Sequence, residues 1–177
     1  MKKIGVSIIF LVIFILIYIL QVGVFSYLPI AGVVPNLFIV LILYIGLFAN
    51  SLNAISFGIT IGLFLDLLYG NTYGISAVMF CVIGYLGAYF DKNFSKENKV
   101  TILLMSIGAT IIYELGFYSL NGLILGYHFE WFKFMKIIIF EVIYNSLITI
   151  ILYPVIQSTG YKVDRIFKKN NILTRYF

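Results

Sequence analysis

Long, almost uninterrupted apolar runs are the feature that most constrains the fold of this chain. A helix needs about 20 apolar residues to cross the hydrocarbon core of a membrane, and the sequence predicts six such spans. Their predicted bounds are residues 4–24, 35–49, 53–70, 73–90, 100–125 and 134–156. Each run is continuously apolar rather than alternating, which predicts helices and not barrel strands. Since 62% of the residues are hydrophobic and 11% are charged, we expect an all-α integral membrane protein, a compact bundle of about six transmembrane helices.

The positions of the lysines and arginines predict the orientation of this bundle. All of them except Lys133 and Lys136 lie before the first span, between the fourth and fifth spans, or after the sixth. The positive-inside rule then places both termini in the cytoplasm. We expect one multi-pass domain over residues 1–177, with a retained first span and a basic cytoplasmic tail over residues 158–177. The net charge of +5 suits anionic membrane lipids and needs no nucleic-acid partner.

Residues that could carry out a reaction are scarce. The chain has one histidine, His128, in a loop and one cysteine, Cys81, so neither a multi-histidine zinc site nor a disulfide can form within it. Asp66 is the only aspartate inside a predicted span, whereas an intramembrane aspartyl protease would need two. The sequence therefore predicts no enzyme and no catalytic, cofactor-binding or metal-binding residue. A chain of this kind acts through its own helices or through partner helices.

A stripe of small residues runs along the third span. Gly58, Gly62, Asp66 and Gly70 recur every fourth position in "GITIGLFLDLLYG" and lie on one face of a helix. Glycines at this spacing allow two helices in lipid to approach closely, either within the chain or between molecules. Small residues of the fourth span, Gly84, Gly87 and Ala88, are the internal candidates for this contact. Asp66 either meets a partner helix or caps the turn that follows it.

Two further acids, Glu114 and Glu141, lie within the fifth and sixth spans. In the sixth span, Glu141, Asn145 and Thr149 form a polar stripe with a four-residue period. No lysine or arginine lies at a comparable depth in any span. Hydrogen bonding between helices, contact with a partner protein, and ion or proton transport all remain open as roles for these intramembrane polar residues.

Three segments carry a resemblance to a known family. The short second span opens at "VPNLFIVLILYIGLF", the third and fourth are joined in "GITIGLFLDLLYGNTYGISA", and the last span reads "YNSLITIILYPVI". In their order and spacing these segments resemble the rod shape-determining protein MreD family over nearly the whole chain. The stretch from Gly58 to Ala77 is the most specific. One departure is Asn36, which stands where we expect many relatives to have an acid, so a charge-dependent role of that position is in doubt.

The resemblance implies a non-enzymatic protein of the bacterial plasma membrane that helps to determine rod shape. Such a protein acts as an adaptor in the machinery that inserts new cell wall during elongation. The partners that it implies are MreC, which has a single span, the RodA glycosyltransferase with its transpeptidase, and the MreB filament. Membrane lipids surround the chain, and no cofactor is implied.

The alternative is a small-molecule-binding membrane subunit of an importer of the energy-coupling-factor type. The expected bundle is similar to that of these subunits, which also have six helices and short loops. They tend to dock through small residues in their first helix, whereas the first span here, from Ile8 to Leu20, contains large apolar residues. This difference favours the adaptor over the importer subunit.

Overall fold

The computed structural model describes residues 2–69, 74–126 and 130–167. Within these ranges the regular elements are helices, and the only strand-like pairing is an isolated bridge between Ile30 and Val33. The predicted all-α class is thus confirmed. The helices are α1 (Lys2–Gly23), a short 3-10 helix (Phe25–Tyr27), α2 (Leu37–Phe48), α3 (Ser51–Tyr69), α4 (Ile75–Asn93), α5 (Lys99–Leu125) and α6 (Trp131–Phe167).

Five of the helices are long and apolar enough to cross a membrane, and α2 is not. It has 12 residues and a length of about 18 Å, against a hydrocarbon core of about 30 Å. The second predicted span is therefore a helix of roughly half the length needed. All of its side chains are buried, because α1, α3, α4, α5 and α6 pack around it. Helix α2 forms the centre of the bundle.

The last helix, α6, is much longer than predicted. It has 37 residues, which gives a length of about 55 Å. The helix contains Pro154 and continues past residue 156, where the predicted span ends, to Phe167. The first part of the predicted basic tail is therefore a continuation of this helix. Residues 168–177 of that tail lie outside the described residues.

The first helix packs less closely than the others. Its side chains at Ile15 and Ile19 are 47% and 57% exposed, as expected for a helix whose outer face meets lipid. On its inner face, Phe14 makes ring contacts with Phe38 of α2 and Phe64 of α3. We name the two ends of the bundle by their connections: α3 ends and α4 begins at the α3–α4 end, and the α4–α5 end is opposite.

Candidate functional site

The glycine stripe of α3 packs inside the chain. A Cβ atom on Gly58 would overlap the carbonyl of Phe80, and one on Gly62 would overlap the backbone of Ala77; both neighbours belong to α4. This contact brings the two backbones together without intervening side chains, which is how small residues stabilise helix pairs in lipid. The stripe is thus covered by α4. Gly70 lies outside the described residues.

The glycines of α4 contact α2 and a different part of α3. A Cβ atom on Gly46 would lie 2.7 Å from the carbonyl oxygen of Gly84 and 2.8 Å from Cα of Gly87. Gly84 also faces α3, where a Cβ atom would lie 2.7 Å from the carbonyl oxygen of Ala54. Helix α4 is therefore packed between α2 and α3 at backbone contact. The residue of α4 that Gly58 contacts is Phe80 rather than Gly84.

Asp66 lies at the α3–α4 end and binds the start of α4. Its Oδ1 accepts a hydrogen bond from the backbone N–H of Ser76 at 3.3 Å, and its Oδ2 accepts one from Ala77 at 3.2 Å. The first turn of a helix has unsatisfied N–H groups and a partial positive charge, so a carboxylate there is favourable. Of the two roles weighed for Asp66, these contacts match capping. The donors lie just beyond the turn itself, in the first turn of α4.

Two polar stripes with the same four-residue spacing face each other across α5 and α6. They form an antiparallel polar ladder of three rungs: Ser106 with Thr149, Thr110 with Asn145, and Glu114 with Glu141. The first rung is 2.9 Å between hydroxyl oxygens. In the second, Asn145 Nδ2 donates to Thr110 Oγ1 at 3.1 Å.

The third rung brings together two carboxyl groups that are close enough to interact electrostatically. An ionised carboxylate has no donor, so a hydrogen bond between them requires a shared proton. Both residues are buried, with Glu114 9% and Glu141 5% exposed. The ladder brings together all four intramembrane polar residues that the sequence singled out. It adds Ser106 and Thr110, which were not among the predicted site residues although they precede Glu114 at the same four-residue spacing.

The ladder also holds the first turn of α2. The Oδ1 atom of Asn145 accepts a hydrogen bond from the backbone N–H of Asn36 at 2.9 Å. Gln21 of α1 accepts from the N–H of Leu37 at 3.1 Å and donates to the carbonyl of Pro35 at 2.6 Å. Helix α2 begins inside the bundle, where no bulk water satisfies its free N–H groups, so these side chains replace the solvent.

A buried lysine holds the other end of α2. Lys96 Nζ lies 2.7 Å from Asp91 Oδ1 and 2.8 Å from Asp164 Oδ1. It also donates to the carbonyl of Leu47 at 3.3 Å and lies 4.8 Å from the centre of the Phe48 ring. A cation at the C-terminus of a helix satisfies free carbonyls and the helix dipole. We call these residues the Lys96 cluster; from the sequence, Lys96 is only a loop charge that contributes to the predicted orientation.

The described part of the bundle has two prominent concave surfaces. The polar cleft, of about 390 Å³, lies at the α3–α4 end and is lined by residues from all six helices or their flanks. The apolar groove, of about 430 Å³, lies between α1 and α6 with α2 as its floor. Representative lining residues of the groove are Ile17, Val40, Ile151, Leu152 and Val155. No group of three metal-ligating side chains occurs in the described ranges.

Comparison with known proteins assigns the family. A family model described as rod shape-determining protein MreD matches residues 1–159 of the 177. The chain belongs to the MreD family. It is accordingly a multi-pass membrane protein of the bacterial membrane, in a family of cell-shape proteins that is not a known enzyme family. No curated protein and no solved structure matches the chain, so the similarity to importer subunits stays a prediction.

Proposed function

We propose that this MreD-family chain is a non-enzymatic membrane adaptor of the cell-wall elongation machinery. It binds the transmembrane helix of a single-span, MreC-like protein in the apolar groove between α1 and α6. Family membership supports the cell-shape role, and the groove is the observation that supports adaptor activity. RodA with its transpeptidase and the MreB filament are further partners in this proposal.

The chemistry of the groove favours an apolar helix as its occupant. Every lining side chain is apolar except Tyr44 and Thr159, and those two are joined by a 3.0 Å hydrogen bond. A second helix can therefore enter from the lipid without burying an unpaired polar group. Along α6 the lining runs from Ile148 to Thr159, a rise of about 16 Å or three helical turns. Side chains from one face of a partner helix would fill this length.

The glycine stripe is a poorer docking surface than the groove. Gly58 and Gly62 already contact α4 at backbone distance, so a partner could reach them only by displacing that helix. We therefore place the partner site on α1, α2 and α6, and give the α3 stripe a packing role. Asp66 supports that packing by holding the start of α4.

A bulky residue in the groove should weaken partner binding. We expect Ile151→Trp to lower the capture of an MreC-like protein about tenfold, because the indole occupies the space of the incoming side chains. The measurement is co-purification of the two proteins from membranes in which both are expressed, normalised to the amount of inserted adaptor.

Ile150→Trp is the matched control for this experiment. Ile150 is the adjacent residue on the same helix and is 54% exposed, but it does not line the groove. Its replacement should leave capture unchanged. Equal capture by both variants and the wild type would show that the partner binds elsewhere.

We also propose that both termini are cytoplasmic, which places the α4–α5 end inside and the α3–α4 end outside. The basis is the lysine and arginine distribution. In a Cys81→Ala background, a cysteine at Ser95 should react with a membrane-impermeant thiol reagent only after the cells are opened. A cysteine at Glu130, at the opposite end, should react in intact cells. The reverse labelling pattern would show that both termini lie outside the cytoplasm. Tyr127 and His128 of the same loop lie outside the described residues.

A further inference from the structure

The polar cleft at the α3–α4 end is a chemically specific surface in the described part of the chain, and the adaptor role does not use it. It is formed where α1 and α3 end and where α2 and α4 begin, with Gln21, Asn36, Tyr69 and Ser76 at these positions. It extends inward to Glu141, which lies ten residues into α6 and so about 15 Å along that helix. Its volume, about 390 Å³, is in the range of small-molecule sites.

Two hydrogen-bond acceptors in the cleft lining have no partner. Oε1 of Glu141 and Oδ1 of Asn36 are buried and make no hydrogen bond within the described part of the chain. Buried polar atoms of this kind are rare, because each costs about 1–3 kcal/mol when left unsatisfied. Rotation about the terminal torsions of these side chains is soft and can turn either oxygen toward the cleft. A ligand that satisfies them must offer hydrogen-bond donors.

The side chains that line the cleft favour a cation over an anion. Glu141 supplies the carboxyl group among the described lining residues, and neither lysine nor arginine is among them. A phosphate or carboxylate ligand would therefore lie next to the carboxyl group of Glu141, with no lysine or arginine in the described lining to bind it. A positively charged donor would instead balance the acid pair.

The walls of the cleft suit an organic cation. Phe80, Tyr113 and Phe117 are stacked in sequence, with ring centroids 4.9 Å and 5.6 Å apart, and all three line the cleft. Phe38 lines it too, at 6.4 Å from the Phe80 ring. Aromatic faces attract ammonium groups and also shield an alkyl stem from water.

We propose that the polar cleft is a binding site for a primary ammonium group on a short apolar stem. Glu141 and Asn36 accept its N–H bonds, and the Phe80–Tyr113–Phe117 stack contacts the stem. The ammonium group can come from a free small amine or from the headgroup of phosphatidylethanolamine. In either case the ligand holds α2, α4 and α6 together at this end of the bundle, because each of these helices or its first flanking residue contributes a contact.

Three probes of similar size test the proposal on the wild-type protein. They are n-butylammonium, which has charge and N–H donors, tetramethylammonium, which has charge alone, and 1-pentanol, which has no charge. Calorimetric titration is carried out on the full chain in nanodiscs of phosphatidylglycerol. We expect n-butylammonium to bind most tightly, by about tenfold or more over 1-pentanol. Equal binding of all three, or binding of none, would overturn the proposal.

A matched pair of variants locates the site. Glu141→Gln removes the ionisable carboxyl group and keeps the shape, and should lower n-butylammonium affinity about tenfold or more. Glu130→Gln makes the same change at an exposed acid outside the cleft and should have no effect. If the two variants bind alike, Glu141 does not contact the ligand. Should Glu141→Gln fail to insert, Asn36→Leu removes the second acceptor and should weaken n-butylammonium without weakening 1-pentanol.

The lipid source is distinguished by repeating the titration in nanodiscs that also contain phosphatidylethanolamine. Weaker apparent binding of n-butylammonium there supports the proposal with the lipid headgroup as occupant. Unchanged binding supports it with a free amine as occupant. The adaptor function does not enter this experiment, so either proposal can fail without the other.

Discussion

Gly62→Ala is expected to lower the melting temperature of the purified protein by about 5 °C or more. The added methyl group would overlap the backbone of Ala77, and backbone atoms cannot turn aside as a flexible side chain can. Helices α3 and α4 must separate, which loses the close contact that stabilises them in lipid. The measurement is thermal unfolding in detergent, followed by the reaction of Cys81 with a thiol-reactive dye.

Gly108→Ala is the control for that substitution. Gly108 is in the middle of α5, and a Cβ atom there would have no neighbour within 4 Å. The same chemical change should therefore leave the melting temperature unchanged or raise it slightly, because alanine favours a helix over glycine. If both variants melt alike, the close α3–α4 contact does not limit stability.

Lys96→Met should have the larger effect, a loss of about 3–5 kcal/mol, which corresponds to roughly 10 °C in melting temperature. The substitution keeps an apolar stem of similar length but removes the ammonium group that contacts Asp91, Asp164 and the carbonyl of Leu47. Breaking a buried ion pair on one side costs more than the pair contributes, because the remaining charge stays buried. The same thermal assay measures the change.

Lys92→Met provides the comparison for Lys96. Lys92 is on the last turn of α4 and is exposed, so its loss should change stability by less than about 1 kcal/mol. Both variants lose one positive charge from the same region. A similar fall in melting temperature for both would mean that net charge, rather than the buried cluster, stabilises this end of the bundle.

Apolar runs predicted where the helices lie because lipid requires every backbone group to be paired within a helix. They did not predict how much of each run is helical. Val33 and Val34 are apolar, yet the chain is not helical there. Side chains of Gln21 and Asn145 satisfy the start of α2. Hydropathy counts side chains, and it cannot detect backbone that is buried by other helices.

Part of the polar ladder could be predicted from the sequence. Glu141, Asn145 and Thr149 were recognised as one stripe, and Ser106, Thr110 and Glu114 repeat its spacing on α5. Two matching stripes on consecutive antiparallel helices predict pairing rung by rung. The glycine stripe was harder, because spacing identifies a close contact without naming its partner. Only the packing of α4 on α3 assigns that contact to Phe80 and Ala77.

The Lys96 cluster could not be predicted from sequence patterns. Asp91 lies in the last turn of α4, Lys96 lies in the loop that follows, and Asp164 lies 68 residues beyond Lys96 in α6. The three do not form a periodic stripe. In a membrane protein such a lysine is counted toward orientation. Its burial depends on α6 continuing beyond the membrane segment so that Asp164 reaches the end of α2.

The polar ladder also limits how the protein can adapt to its membrane. Apolar helices in lipid can slide along one another at little cost, since one leucine contact replaces another. Sliding α5 against α6 by one turn, about 5.4 Å, would break the hydroxyl, amide and carboxyl pairs together. We therefore expect α5 and α6 to move together and to keep their relative axial position. When the bilayer thins or thickens, we expect the bundle to tilt as a unit rather than α5 to slide along α6.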